Sequence, residues 1–393
     1  MSEFDTVIVG ARAAGSALAI ALARAGQRVA VVDRASFPSA TLSTHVVYPN
    51  ALAALDRLGA LEEVLWHEPP PLHTAWHHAG ASWRAAHTPI AGRDWALCVR
   101  RLTLDAILVR RARAAGATVH ERFFVRDVIG AGTEDDPVRG VVGRHRGERA
   151  ELRAAHVVGA DGAHSTIARA LGVEREDVLP SPSVMAYAYW RGPRRRELQE
   201  FFLRPPWTTV HLPADDGYHV VVLIGPRSQW DPVRREAIYH ARIRAEPRLR
   251  TRLAGARISG KVISATRLDG FWRRPAGPGW TLLGDAGHFK HPAAVQGIAD
   301  ALSGAEALAP MLLAGTQREA FGAWRESASR ELYAFSGWAG TPPSTADATA
   351  LVGALAADPA LARDFLDVYS RTRAPSEVMG RLPAATAVQA AAA

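Results

Sequence analysis

The chain reads as an α/β protein: a Rossmann-like dinucleotide-binding domain interleaved with a β-sheet layer and followed by C-terminal helices. Three observations predict it. A βαβ unit with a glycine loop begins at residue 5, and alternating runs fill the middle of the chain. A second turn, Gly284-Asp285, then follows an apolar strand about two-thirds of the way along. A glycine loop near an N-terminus says only that a pyrophosphate binds. A chain that comes back with a second turn implies a long ligand.

The elements follow in order. Residues 5–9 (DTVIV) predict a β-branched strand ending at Gly10, and residues 13–24, rich in Ala and Leu, predict a helix ended by Gly26. Residues 27–32 predict a buried strand ending at Asp33. A loop (37–49), a helix (50–58) and a mixed stretch holding Trp66, Trp76, Trp83 and Trp95 come next. Residues 102–115 predict a second strong helix, and a strand starts at Thr118. Residues 139–158 predict hairpin strands leading into Gly159-Ala160-Asp161-Gly162. From about 181 to 268 the runs alternate, with one charged helix (233–245), which is the texture of an antiparallel sheet. Residues 280–283 deliver the Gly-Asp turn, and helices fill most of the remainder. The expected division gives 1–180 (with inserted sheet-layer segments near 66–98) and 271–315 to the dinucleotide-binding domain. Residues 181–270 form the sheet domain, 316–380 a helical region and 381–393 a disordered tail.

Composition excludes several classes. Across 393 residues the chain is 48% hydrophobic and 22% charged, ordinary for a globular protein. The net charge of +8 is carried almost wholly by Arg, since Lys occurs only at 261 and 290. The densest basic run, Arg194, Arg195 and Arg196, is too short for a nucleic-acid stripe, and no nucleic-acid partner is expected. One cysteine, Cys98, excludes an internal disulfide. The start, MSEFD, is unlike a signal peptide, and no uninterrupted apolar run reaches membrane-spanning length. A cytoplasmic monomer or homodimer without stable membrane insertion is expected. His67, His73, His77 and His78 match no ligand spacing, so no metal is expected either.

Four motifs carry chemistry. In Gly10-Ala11-Arg12-Ala13-Ala14-Gly15 the first glycine permits the tight turn and the last lets helix and strand approach. The helix amides would hold the pyrophosphate. Arg12 stands where a glycine is usual, so its side chain points away from the phosphates or answers their charge. Asp33, followed by Arg34, ends the second strand where an acid accepts from ribose hydroxyls. Arg101 opens the second helix, as a pyrophosphate contact or a surface arginine. Asp161 caps the helix expected from about His164, or simply makes a turn. At Gly284-Asp285 the acid can bond a polyol, and Pro292 to Gly297 leads into a helix beginning near Ile298 whose amides would face negative charge.

Taken in order, GARAAG (10–15), Asp33, Arg101, GADGAHS (159–165), GDAGH (284–288) and Pro292…Gly297 resemble the FAD-dependent aromatic hydroxylase superfamily, of para-hydroxybenzoate hydroxylase fold, over roughly residues 4–315. That superfamily also contains flavin halogenases and geranylgeranyl-reductase-like enzymes. The resemblance implies a glutathione-reductase-like FAD domain, a β-sheet substrate domain and no separate nicotinamide domain. It implies Asp33 at the adenosine ribose, Arg101 toward the pyrophosphate, Asp285 at the ribityl chain, and the Gly297 and Ile298 amides near the pyrimidine ring. Arg12, Arg169, Gly287 and Leu42-Ser43-Thr44-His45 depart from the usual pattern and mark a divergent subgroup.

The implied activity is monooxygenation. NADPH or NADH reduces FAD, oxygen adds at flavin C4a, and the hydroperoxide hydroxylates a small aromatic substrate. The alternatives are reduction of carbon-carbon double bonds and a non-catalytic flavin-binding protein. His45 and His291 are the candidate proton carriers. Tyr187, Tyr189 and Trp190 are candidates to line the substrate pocket, with core packing of the sheet as the other reading. Lys290 is expected as a solvated loop lysine, or as a partner of a phosphate or anionic substrate.

Overall fold

The computed structural model describes residues 3–193 and 197–383; the basic run at 194–196 and the tail from 384 lie outside the described residues. An eight-stranded sheet runs in the order Ala276–Gly277, Trp280–Leu282, Glu148–Gly159, Phe4–Val9, Val29–Asp33, Thr118–Glu121, with Gly140–His145 paired to its long strand and Phe123–Val128 paired in turn to Gly140–His145. Its central strands are parallel. Such strands are covered on both faces, which explains why they read as continuous Val and Ile runs. Ile8 and Val31 face a layer built from the helices Ala13–Arg24, Pro49–Arg57, Arg101–Ala114 and Gly297–Ala314. Val7, Val9, Ala30 and Val32 face the other way, onto Phe123, Ile167 and Trp280.

Five strands of the alternating stretch and two from residues 73–85 form a seven-stranded sheet, in the order Arg257–Ala265, Ser183–Arg191, Tyr218–Pro226, Trp207–Pro213, Leu198–Arg204, His73–His78, Ala81–Ala85. Pairing is antiparallel except between Leu198–Arg204 and His73–His78, where strands distant in the chain run parallel. One face, with Met185, Tyr187, Val210 and Val222, packs with Leu332, Val352 and Phe365 from the helices Gln317–Gly340, Thr345–Ala357 and Pro359–Ser370. The opposite face, with Val184, Ala186, Phe202 and Leu223, lies under Tyr239 and Leu249 of two short helices.

Helix and strand ends fall within a residue or two of expectation at most elements. The helix after Asp161 spans Thr166–Ala170, because Ser165 takes the N-cap position and its Oγ accepts from the Ala168 amide at 3.0 Å. Gly297–Ala314 is the one described helix whose length and composition reach the scale of a membrane span. Asp300 and Glu306 interrupt it and half of it is buried within the protein.

Candidate functional site

The parallel strands end together. Val9 is in register with both Val32 and Gly159, and Gly159 with Leu282. The residues that follow, Gly10, Asp33, Asp161 and Gly284-Asp285, therefore gather along one edge of the sheet, where open α/β folds place their ligands. The turns press on one another. Gly10 has φ +106°, and a Cβ there would stand 2.3 Å from the Ala160 carbonyl oxygen. Gly284 has φ +61°, and its Cβ would meet Ala14 Cβ at 3.2 Å. The returning turn thus sits on the start of the first helix.

That helix start carries no side-chain cap and no acid in its first turn, which leaves its Ala13 and Ala14 amides for an anion. Arg12 is turned away from them. Its guanidinium donates to Asp105 Oδ2 at 2.6 Å and to Ser39 and Ala40. Asp105 is fully buried, and its other oxygen accepts from Arg101 at 2.8 and 3.0 Å. Asp33 fixes the loop: Oδ2 accepts from the Ala11 amide and Oδ1 from the Ala35 amide, both at 2.8 Å, while Arg34 is exposed beside it. Asp161 accepts from the Thr166 and Ile167 amides, and its Oδ1 is buried without a partner. Burial raises its pKa.

The Gly284-Asp285 turn is held from behind by two buried arginines. Arg273 donates to the Ala286 carbonyl at 2.8 Å and Arg325 to the Gly287 carbonyl at 3.0 Å. Asp285 itself has no hydrogen bond or ion pair among the described residues. Desolvation first, then the charge of Asp300, pushes its carboxyl up to about 6. Gly297 closes on it, for a Cβ there would lie 3.9 Å from Asp285 Oδ1. The helix starting at Gly297 has no side-chain cap, because Gln296 donates instead to the Ala294 and Tyr369 carbonyls. Two uncapped helix starts, an unpartnered carboxylate and glycines that open the backbone between them fit a long, anionic dinucleotide.

The candidate catalytic and substrate residues divide. His45 is fully buried in the left-handed region (φ +67°), with Nε2 2.8 Å from the Tyr189 hydroxyl and Nδ1 without a partner. Burial, reinforced by the Arg101 charge, lowers its pKa to about 3, so the ring is neutral. Tyr187 packs edge-on against it at 5.0 Å. Trp190 does not join them: strand alternation turns it to the opposite face, where its Nε1 donates to Tyr239 at 3.2 Å. His291 has both ring nitrogens engaged, Nδ1 accepting from the Ala293 amide and Nε2 bonded to Ser183 Oγ at 2.9 Å. It caps the loop start and is not free to carry a proton. Lys290 is not solvated. It is buried, donating to Asp300 Oδ2 at 2.8 Å and His288 Nε2 at 2.9 Å. The four histidines near residue 70 take separate partners: Asp216 for His67, Asp94 for His73, Glu200 for His77, and the Leu203 carbonyl with Thr349 for His78.

Asp105, Arg273 and Arg325 escaped the sequence reading. Only Asp105 left a signal, an acid four residues after Arg101 on the apolar face that includes Leu104 and Leu108. Asp215 is a fourth: fully buried, it accepts from the Arg100 amide, the Arg100 side chain and Thr103, and so ties the seven-stranded sheet to the start of the helix Arg101–Ala114.

The class these features define is the FAD-binding proteins built on the dinucleotide-binding fold. Residues 3–335 match the FAD binding domain family, and the chain belongs to that family. Similar proteins include the tryptophan 2-halogenase of Chondromyces crocatus, 26% identical over 76% of this chain and 58% of its own length. The menaquinone reductase of Mycolicibacterium smegmatis is 29% identical over 81% of this chain and 79% of its own. The 6-methylpretetramide 4-monooxygenase of Streptomyces rimosus is 26% identical over 80% and 76%. The chain spans 58% of the halogenase's length and less than half of two further relatives'. Two solved structures share the fold. A flavoprotein/dehydrogenase from Cytophaga hutchinsonii has TM-score 0.78 at 18% identity, covering 93% of this chain and 92% of that one. Aklavinone-11 hydroxylase with FAD and aklavinone has TM-score 0.71 at 18% identity, covering 86% and 68%.

Proposed function

We propose that this chain is an FAD-dependent monooxygenase that uses NADPH or NADH and dioxygen to hydroxylate a small aromatic substrate. The observation that carries the reading is an apolar cavity of about 230 Å³ between the seven-stranded sheet and the C-terminal helices. Trp76, Phe201, Ile224, Trp338 and Leu351 line it, and it reaches Ala293 in the loop that follows the Gly-Asp turn. Trp76 and Phe201 stack at 4.7 Å, a wall suited to a flat ring. Its size lies just below the roughly 300 Å³ at which small-molecule pockets begin, so the substrate is small.

Bound FAD supplies the oxidation, and the protein supplies placement and dryness. In this reading the Ala13 and Ala14 amides hold the pyrophosphate and Asp33 the adenosine ribose. Asp285 holds the polyol, and the Gly297 and Ile298 amides meet the pyrimidine edge. Neutral His45 is hydrogen-bonded through Nε2 to the Tyr189 hydroxyl at 2.8 Å and so orients it, a positioning role rather than that of a base.

Menaquinone reductases among the relatives and the apolar cavity wall favour a second reading, reduction of a carbon-carbon double bond. Product mass decides between them. Purified holoprotein with NADPH or NADH and a panel of phenols and isoprenoid quinones should consume oxygen and give a product sixteen mass units heavier. A gain of two units without oxygen uptake supports the reductase, and neither product sinks both.

A further inference from the structure

The buried cation behind the Gly284-Asp285 turn has a built environment that flavin binding through Asp285 does not use. Lys290 has a side chain 2% exposed, and Asp300 and His288 are 5% exposed. Since an ammonium can only donate, His288 Nε2 must accept, which fixes that ring as the neutral Nδ1–H tautomer. Burial and the neighbouring Lys290 charge agree, lowering the His288 pKa to about 4. Two of the three Lys290 N–H groups are engaged, by Asp300 and His288, and the third has no partner among the described residues. Asp300 also accepts from Arg371 at 2.6 Å. Lys290 and Arg371 thus share the Asp300 carboxylate, and the Asp285 carboxyl is the second acid that bears on Lys290. The cluster acts on the turn, since Lys290 and Asp300 both bear on the Asp285 carboxyl.

We infer that Lys290 is a positioning residue for the redox state of the flavin: held between Asp300 and His288, its ammonium places a buried positive charge behind the turn and raises the midpoint potential of bound FAD. Reduced flavin carries negative charge, and a fixed charge in a water-poor site acts with little screening. The inference rests on the reading that the flavin end of FAD lies at Gly284-Asp285, and it is independent of what the reduced flavin then does.

The test is the midpoint potential of the holoprotein, read anaerobically at pH 6.5 against a reference dye. Lys290→Met should favour the oxidised form about tenfold, close to 30 mV for a two-electron couple. Asp300→Asn, which removes the compensating negative charge, should shift it the opposite way, and Lys290→Arg should restore the wild-type value. A structural role alone would not produce opposite signs. An unchanged potential in Lys290→Met that still holds FAD overturns the proposal, as do shifts of the same sign in Lys290→Met and Asp300→Asn. If Lys290→Met cannot hold FAD, Asp300→Asn decides: an upward shift supports the assignment and any other result overturns it. Asp285→Asn separates the two readings. If it moves the potential while the lysine variants do not, only the lysine assignment fails; if it moves neither potential nor FAD affinity, the flavin end was misplaced.

Discussion

Asp105 accepts from Arg12 with one oxygen and from Arg101 with the other, 2.6 Å and 2.8 Å away, inside the protein. The arginine that stands in place of the middle glycine of the phosphate loop is therefore drawn off the loop by a carboxylate 93 residues later. Its presence costs the loop no phosphate-binding amide.

The Asp105 side chain is fully buried, so its removal leaves two cations uncompensated. Asp105→Asn should lose about 3 kcal/mol of stability. Added FAD should return part of it, because the freed guanidinium groups can face the pyrophosphate. Thermal unfolding with and without FAD checks this, and an equal loss in both conditions would contradict it.

How much of this was legible beforehand follows from what is local. Gly10, Asp33, Asp161 and Gly284-Asp285 announce themselves because each is a strand end followed by a turn, and parallel register then brings them together. The Arg12–Asp105 and Lys290–Asp300 pairs join residues whose partners no spacing rule names. The likeness of Lys290 to a loop lysine misled for that reason. Trp190 differs in kind: period-two alternation already separates it from Tyr187 and Tyr189, and none of the three lines the cavity at Trp76 and Phe201. The burial of His45 depends on Tyr187 and Tyr189 arriving from the other sheet, which no local pattern announces.

The two close approaches predict a ranking. Gly10→Ala forces a Cβ to 2.3 Å from a backbone oxygen at positive φ, whereas Gly284→Ala meets only a methyl at 3.2 Å. Gly284→Ala should cost about 1–2 kcal/mol from backbone strain and leave the fold intact. Gly10→Ala should cost more and abolish FAD retention. Urea titration orders the two, and the reverse order would refute the packing described.

Acid should destabilise the protein. His45, with its pKa near 3, and His87, His156, His288 and His291, each near 4, are buried neutral. The unfolded chain binds protons at these sites below about 6.5 and the folded chain does not, so stability falls as pH drops from about 6.5 toward 4. Asp285, raised to about 6, and Asp161, also raised by burial, act in the opposite sense, but they are two groups against five. Unfolding midpoints measured from pH 7.5 to 4.5 should decline steadily; a flat profile would show that these rings are not held neutral.

The His45–Tyr189 hydrogen bond predicts coupling. If the hydrogen-bonded pair acts as one positioning unit, His45→Asn and Tyr189→Phe should each lower turnover about tenfold, with the double variant no worse than either. Tyr187→Phe should change KM more than kcat. Additive losses in the double variant would mean the two residues act separately.

The most direct test of where the cofactor lies compares two ligands on two variants. Asp33→Ala should weaken both FAD and ADP at least tenfold, since the adenosine end is common to them. Asp285→Ala should weaken FAD by a similar factor and leave ADP unchanged. Equal weakening of ADP by both variants, or undiminished FAD affinity in Asp285→Ala, would contradict the placement of the flavin end at the Gly284-Asp285 turn.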